Sequence, residues 1–419
     1  MRRPRPAFAV IVAVLVVAGS ALLAGCGSKA RGGDQIAGRT LTVYASVPLH
    51  GASHVSGMAA VAGASLALAE IHGRIGKYRI VFKPLDDSTA QRGEWDPGQT
   101  TLNARLAAQD STTIGYLGEL NSGASAVSIP LVNRAGIAQI SPASTAVGLT
   151  DAGPGASPGE PEKYYPTGVR TFVRIPPSDA IQAIAQVRLQ KSLGCRRTYV
   201  LDDGEVDGED TAASFSVAAQ SAGLQVAGVQ AFDARAADYS SLAAAVAQTG
   251  SDCVLISAIT ESNAVLLTRQ LAAALPKARI FGSAGVAEST YTNPLEGGIP
   301  ATLDSRVLIT VATLDSASYP VAGRRLLLSY TKRYGPPQPA AIYGYEAMSL
   351  LLGSIARASD NGTRAIRRSG VVAALFATRD RRSVLGTYSI GADGGSTIKR
   401  YGVYRVIAGR LSFWKAIDA

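Results

Sequence analysis

The chain has 419 residues, with 41 Lys and Arg against 31 Asp and Glu, a net charge of +10 and 47% apolar residues. Arg2, Arg3 and Arg5 stand together at the N-terminus, and the remaining 38 basic residues against 31 acids form no dense basic stripe, which argues against a nucleic-acid partner. Three histidines and three cysteines leave little material for a metal or redox centre.

The basic start runs into an apolar stretch from Ala7 to Ala24 that meets Leu23-Ala24-Gly25-Cys26. This pattern predicts a signal peptide over 1–25 with a lipobox-like end, and a lipid carried by the Cys26 thiol after cleavage. Gly19 and Ser20 interrupt the run, and the small residues before Cys26 fit cleavage better than a membrane span. Each acyl methylene contributes roughly 0.8 kcal/mol, so a diacyl group anchors stably. Residues 26–40 read as a tether. No later segment has the length and apolarity of a span, so a soluble body on the outer face of the cell membrane is expected, touching it through lipid alone.

Some 390 mature residues exceed what one hydrophobic core serves, which makes two domains the default. Cys195 and Cys253 are the side-chain thiols left after lipidation. Each borders a β-branched run, so two neighbouring parallel strands would bring them to one sheet edge. An oxidising compartment lets them pair, and two separately buried thiols remain the alternative.

From Leu41 the chain alternates short β-branched runs with longer amphipathic ones, the pattern of βαβ units around a parallel sheet. Strands are predicted at Leu41–Val47, Tyr78–Pro84, Thr113–Leu117 and Ala138–Ile140, and helices at Val55–His72, Gly98–Gln109 and Ser122–Arg134. A Gly- and Pro-rich loop over Asp151–Pro166 precedes an extended Thr171–Ile175. A second series follows: helix Asp179–Leu193, strand Thr198–Asp202, helix Glu209–Ala222, strand Gln225–Phe232, helix Ser240–Gln248, strand Cys253–Ala258, helix Ser262–Leu275 and strand Arg279–Gly282. After a strand at Arg306–Val311, helices at Val321–Tyr334 and Ala340–Ala358 come without strands for a third sheet, so they are expected to cover the first lobe. Gly386–Trp414 alternates in period two around Gly391–Gly395 and reads as terminal strands with a hairpin. The basic clusters Arg364 with Arg367-Arg368, and Arg379–Arg382, read as solvated helix faces. The expected fold class is α/β, two doubly wound parallel-sheet lobes joined by a three-crossing hinge: 41–174 plus 312–387, and 175–311 plus 388–419.

Reactive groups are sparse. His50, His54 and His72 lack the spacing of a zinc site. No Gly-x-Ser-x-Gly turn or phosphate-binding Gly-Lys-Ser/Thr loop occurs. No catalytic residue, metal or cofactor is therefore predicted. The acidic run Asp202–Asp210 lacks calcium-loop spacing and fits a strand-end loop whose acids stand near a helix N-terminus. More telling are hydroxyl-rich loops after strands, Gly118–Ser125 and Ser141–Thr145. Ligands of open α/β sheets bind at the carboxyl ends of strands, and such loops offer backbone N–H groups and short hydroxyls to an anion. Ordinary helix caps at Ser122 and Ser144 would account for each loop singly.

At these residues the chain resembles the leucine/isoleucine/valine-binding family of type I periplasmic binding proteins, which serve ABC transporters. The resemblance rests on Leu49-His50-Gly51 with Gly57, Leu85-Asp86-Asp87, Ile114-Gly115 leading to Ser122, Gly136-Ile137 leading to Ser141-Pro142-Ala143-Ser144-Thr145, and Gly344-Tyr345-Glu346-Ala347. It implies two lobes closing over a ligand, with Ser122, Ala143 and Thr145 holding the α-carboxylate and α-ammonium of an amino acid. The family's ammonium-pairing acid falls at Ala284, and its ligand-covering aromatics fall near Asp207 and at Thr260 or Glu261. Either Glu261, Asp207 or Glu119 supplies the countercharge, or the ligand is not a plain aliphatic amino acid. The expected ligand site is Ser122, Gly123, Ala143, Ser144 and Thr145 from one lobe, with Asp207, Thr260, Glu261 and Ala284 from the other. The expected role is that of a monomeric lipoprotein delivering a small polar ligand, of branched-chain amino acid type or related, to an ABC permease. A sensory module using the same cleft to signal to a partner is the alternative reading.

Overall fold

The computed structural model describes residues 34–419, so the expected leader, Cys26 and all but the end of the tether lie outside the described residues. Six strands build the first sheet: β1 (Thr40–Val47), β2 (Arg74–Ile75), β3 (Tyr78–Asp86), β4 (Thr113–Leu117), β5 (Ala138–Ser141) and β6 (Phe172–Arg174), in the order β2-β3-β1-β4-β5-β6. All pairings are parallel except β2 with β3. Central β1 is buried from Leu41 to Val47, as a strand with helices on both faces should be. Helices α1 (His54–Glu70), α2 (Pro97–Gln109) and α3 (Ser122–Arg134) connect these strands.

The chain then leaves for the second sheet. It runs through α4 (Asp179–Ser192), β7 (Arg197–Asp202), α5 (Val206–Ala222), β8 (Gln225–Ala231), α6 (Ser240–Gln248), β9 (Cys253–Ser257), α7 (Val265–Ala274), β10 (Arg279–Gly282), the short α8 (Ser289–Thr292) and β11 (Val307–Val311). It returns with α9 (Val321–Tyr334), α10 (Ala340–Ala358), α11 (Arg368–Phe376) and the small hairpin β12 (Arg381–Ser383) and β13 (Gly386–Tyr388). It ends with β14 (Arg400–Ile407) and β15 (Arg410–Asp418), giving a second sheet of order β15-β14-β11-β10-β9-β7-β8. β14 is antiparallel to both neighbours, while β11, β10, β9, β7 and β8 are mutually parallel.

Side-chain packing explains the return. Leu326, Ile342, Leu351, Val371 and Leu375 of α9–α11 share one buried cluster with Leu41, Val43, Ile114 and Ile140 of the first sheet. Helices α1 and α10 meet through glycines: a Cβ on Gly63 would stand 2.0 Å from the Ala341 carbonyl oxygen, and one on Gly344 2.2 Å from that of Ala60. The second sheet buries a separate cluster on each face. The crossing segments are tied together where they run side by side. Tyr401 donates to the Pro177 carbonyl at 2.8 Å, Ser396 to that of Ile175 at 2.6 Å, and Tyr404 to that of Thr313 at 3.1 Å.

The sulfurs of Cys195 and Cys253 are bonded, and β7 pairs directly with β9, setting Thr198 opposite Cys253. Several boundaries differ from expectation. Helix α5 begins at Val206, a turn before Glu209, so Asp207 lies in its first turn. The helix expected from Ser262 opens with a distorted turn over Thr260–Ala264, where Asn263 has φ +58°, and becomes regular only at Val265. Gly391–Gly395 is a turn closed by an Ile390–Ser396 bridge, and the hairpins lie on either side of it. Neither basic cluster is a solvated helix face throughout. Arg368 is buried at the start of α11, which the sequence reading lacked; it donates to the carbonyls of Thr113 (2.9 Å), Asp110 (3.1 Å) and Ala135 (3.3 Å). Arg381 belongs to a strand and pairs with Glu346 at 2.6 Å.

Candidate functional site

Parallel sheets deliver their loops to the carboxyl ends of the strands, and here the two sheets turn those ends toward one another around a cavity of about 130 Å³. A buried water needs roughly 10–15 Å³ on this measure, so the space suits a small organic molecule rather than scattered waters. The first-sheet side is formed by Ser53 and Ser56 at the start of α1, Asn121–Gly123 at the start of α3, and Pro142, Ala143 and Thr145 after β5. Facing them are Glu205 and Asp207 at the start of α5, Ile259 after β9, and Ala284, Gly285 and Glu288 after β10. Pro176, Val311–Thr313 and Tyr401 of the crossing segments close the back, beside Tyr343 of α10.

The hydroxyls of this wall are already organised. Ser122 Oγ accepts from the backbone N–H groups of Thr145 and Ala146, both at 3.2 Å, and donates to Asp207 Oδ1 at 3.1 Å. Thr145 Oγ1 donates to the same carboxylate oxygen at 2.8 Å. An acid from one lobe thus occupies the two hydroxyls that the sequence reading reserved for an anion.

Other bonds hold the two faces together. Glu261 Oε1 accepts from the Ser53 N–H at 2.8 Å, Asp210 Oδ2 from that of Gly148 at 3.2 Å, and Ser214 donates to the Pro154 carbonyl at 2.9 Å. Gly123 is hemmed in on both sides: a Cβ there would stand 2.6 Å from the Trp95 ring and 3.2 Å from Glu205 Oε2 of the opposite face.

Of the residues expected to bind, Ser122, Gly123, Ala143, Thr145, Asp207 and Ala284 line the cavity. Ser144, Thr260 and Glu261 do not. Ser144 turns its hydroxyl into the first lobe, against Ser125 Oγ at 2.8 Å and the Glu119 carbonyl at 3.1 Å. Thr260 reaches back to the Gly285 carbonyl at 3.5 Å, and Glu261 gives Oε1 to the Ser53 N–H while its Oε2 is buried without a hydrogen-bond partner. Glu119 is wholly interior, where its carboxyl accepts from Tyr116 at 2.7 Å.

Ser53, Ser56, Glu205, Glu288 and Tyr343 were not anticipated, and Glu288 is the most consequential. It is 9% exposed, and among the described residues no cation pairs with it. Burial pushes its carboxyl up to about 8, against the pull of the Ser56 hydroxyl, with Glu261 adding to the rise. Burial likewise raises Glu205 to about 7, helped by Asp203, Glu94 and Asp207 and opposed by Arg92.

The remaining acids of the Asp202–Asp210 run form no cluster at metal-ligand distances among the described residues. Asp203 accepts from the N–H groups of Glu205 and Ile259, at 3.1 and 2.9 Å, and Asp202 from that of Gly204 at 3.2 Å. The one cluster with metal-ligand proximity among the described residues is Cys195, Cys253 and Asp252, and both sulfurs there are in the disulfide.

A family model described as periplasmic binding protein matches residues 40–410. Among solved structures, a leucine binding protein from Thermotoga maritima aligns at 19% identity with a TM-score of 0.76, covering 90% of this chain and 99% of its own. The branched-chain amino acid transporter substrate binding protein of Streptococcus pneumoniae, in complex with isoleucine, aligns at 17% identity and 0.74, covering 91% and 100%. A solute binding protein of an ABC transporter from R. palustris, in complex with benzoate, aligns at 16% identity and 0.69, covering 90% and 96%. No curated protein matches the sequence.

Proposed function

Since this chain belongs to the periplasmic binding protein family, we propose that it is the solute-binding component of an ABC transporter, taking a small polar solute of amino-acid size into the cavity between its lobes and presenting it to a permease. In this reading residues 41–174 plus 312–387 and 175–311 plus 388–419 swing against each other about the three crossings. The leader ending at Cys26 would place the protein outside the cytoplasm on a lipid anchor, acting as a monomer and without catalysis.

One observation carries the reading: the facing strand ends enclose a cavity, largely apolar with a few converging polar groups, whose two walls already hydrogen-bond across the gap through Ser122, Thr145 and Asp207. The structurally similar leucine binding protein and the neighbours in complex with isoleucine and with benzoate support the ligand size.

A thermal-shift screen of small solutes tests it. A ligand at a hundred times its Kd stabilises by about 2.7 kcal/mol, well within reach of the method. Ser122→Ala and Thr145→Ala each remove a donor that positions Asp207 and are each expected to weaken binding of the ligand found by about 5- to 30-fold, the worth of one or two hydrogen bonds. Unchanged affinity in both variants would remove these residues from the site.

A further inference from the structure

The charge of the cavity wall is one-sided. Glu205, Asp207 and Glu288 present carboxylates, and no Lys, Arg or His lines the space among the described residues. The hydroxyls suited to receiving an anion, those of Ser122 and Thr145, both donate to Asp207 Oδ1. A solute carboxylate would have to expel Asp207 from them and then lie beside Asp207 and Glu288. The guanidinium behind Glu205, that of Arg92, stands 4.0 Å from Glu205 and is already paired with Glu94 at 2.6 Å. Buried groups do not tolerate such an arrangement. Glu288 is the converse case: nine-tenths buried, lining the cavity, facing the Ser56 hydroxyl and the Glu261 carboxyl, and without a cation among the described residues. Tyr343 and Tyr401 commit their hydroxyls to the carbonyls of Ala312 and Pro177, both at 2.8 Å, so what they add to the wall is ring surface. Carboxylates beside aromatic rings form a receptor for an ammonium group.

We infer that the solute is an organic cation, an amine or quaternary ammonium compound without a free carboxylate, held between Asp207 and Glu288. This rests on the proposed solute-binding role and narrows it.

Proton linkage follows from the same geometry. Glu288 faces Ser56 and Glu261; Glu205 faces Arg92, Glu94, Asp203 and Asp207. Burial pushes their carboxyls up to about 8 and about 7. A bound cation favours their ionised forms, so its entry at neutral pH expels protons and its affinity rises with pH.

The test is a thermal-shift and calorimetric screen of the full chain against three size-matched sets. These are cations (choline, 3-methylbutylamine, L-leucinamide and further small amines), zwitterionic amino acids, and carboxylates such as 4-methylpentanoate and benzoate. Binding confined to cations is the expected result. For choline, whose own charge does not titrate, affinity should increase between pH 6 and pH 8.5. Asp207→Asn and Glu288→Gln should each lower it by at least about tenfold, as loss of one partner of a buried charge pair does. Glu288→Gln should also flatten the pH profile, which a merely structural role would not. Tight binding of zwitterions or carboxylates, with cations ignored, would overturn the inference and leave the solute-binding role standing. Binding by no set would overturn both.

Discussion

Arg381→Ala should destabilise the protein by about 3–5 kcal/mol, the cost of leaving a buried carboxylate without its partner. Glu346 lies in the middle of α10 with a side chain only 1% exposed, and its Oε1 takes Arg381 Nε at 2.6 Å and the Tyr388 hydroxyl at 2.8 Å. Burial pushes the Glu346 carboxyl above its ordinary range and Arg381 draws it back. Arg381 also donates to Ser349 at 2.8 Å, so one guanidinium fastens the β12–β13 hairpin to α10. A denaturant titration should show the midpoint falling with its slope unchanged. The double variant Arg381→Met, Glu346→Gln should recover most of the loss, because the charge that needed a partner is gone. A loss below about 1 kcal/mol for Arg381→Ala would be that of a surface pair and would refute the burial argument.

Replacing Cys195 and Cys253 together by Ser should cost about 4 kcal/mol, the loop-closure value for cross-linking residues this far apart. The bond spans 58 positions and encloses β7, α5, β8 and α6, which make one end of the second sheet. Reduction of the native protein should produce a similar loss, read as the difference between oxidised and reduced denaturation curves. A difference under about 1 kcal/mol would mean that the unfolded chain gains little freedom when the bond is cut.

How much of this was legible depends on whether a feature is periodic. Helices α3, α6, α9 and α10 and strands β4 and β10 stand at the predicted residues, because their apolar spacing is long or their bounding Gly and charged residues are sharp. Cys195 and Cys253, each bordering a β-branched run, could meet if those runs were neighbouring parallel strands, with two separate thiols as the alternative; β7 does pair with β9, and the sulfurs are bonded. What failed was the reading of arginines by charge alone. Arg368 and Arg381 sit in basic clusters that look solvated, yet one satisfies three backbone carbonyls and the other a buried acid. Such partners are distant in sequence and leave no local trace.

The site divides in the same way. The place of Ser122, Ala143 and Thr145 on the cavity wall was readable because hydroxyl-rich loops follow strands, and in open α/β sheets the crevice forms at the carboxyl ends of strands. Asp207 was expected as a closing residue of the second lobe, but not as the group that occupies those hydroxyls. Thr260 and Glu261 were displaced from the wall by the distorted turn at Ser262 and Asn263, which carries one to Gly285 and the other to Ser53. Glu288 lies in an irregular stretch between β10 and α8 with no periodicity to place it. The available signal was a lone acid among Ala, Gly and Val shortly after a strand end.

Hydrogen–deuterium exchange with and without a screened ligand tests most directly whether the two lobes capture a solute between them. The expected result is slowed exchange on both walls at once, at residues 119–125 and 141–147 on one side and residues 203–210 and 284–288 on the other. Protection confined to one wall, or located away from the cavity, would contradict capture between the lobes.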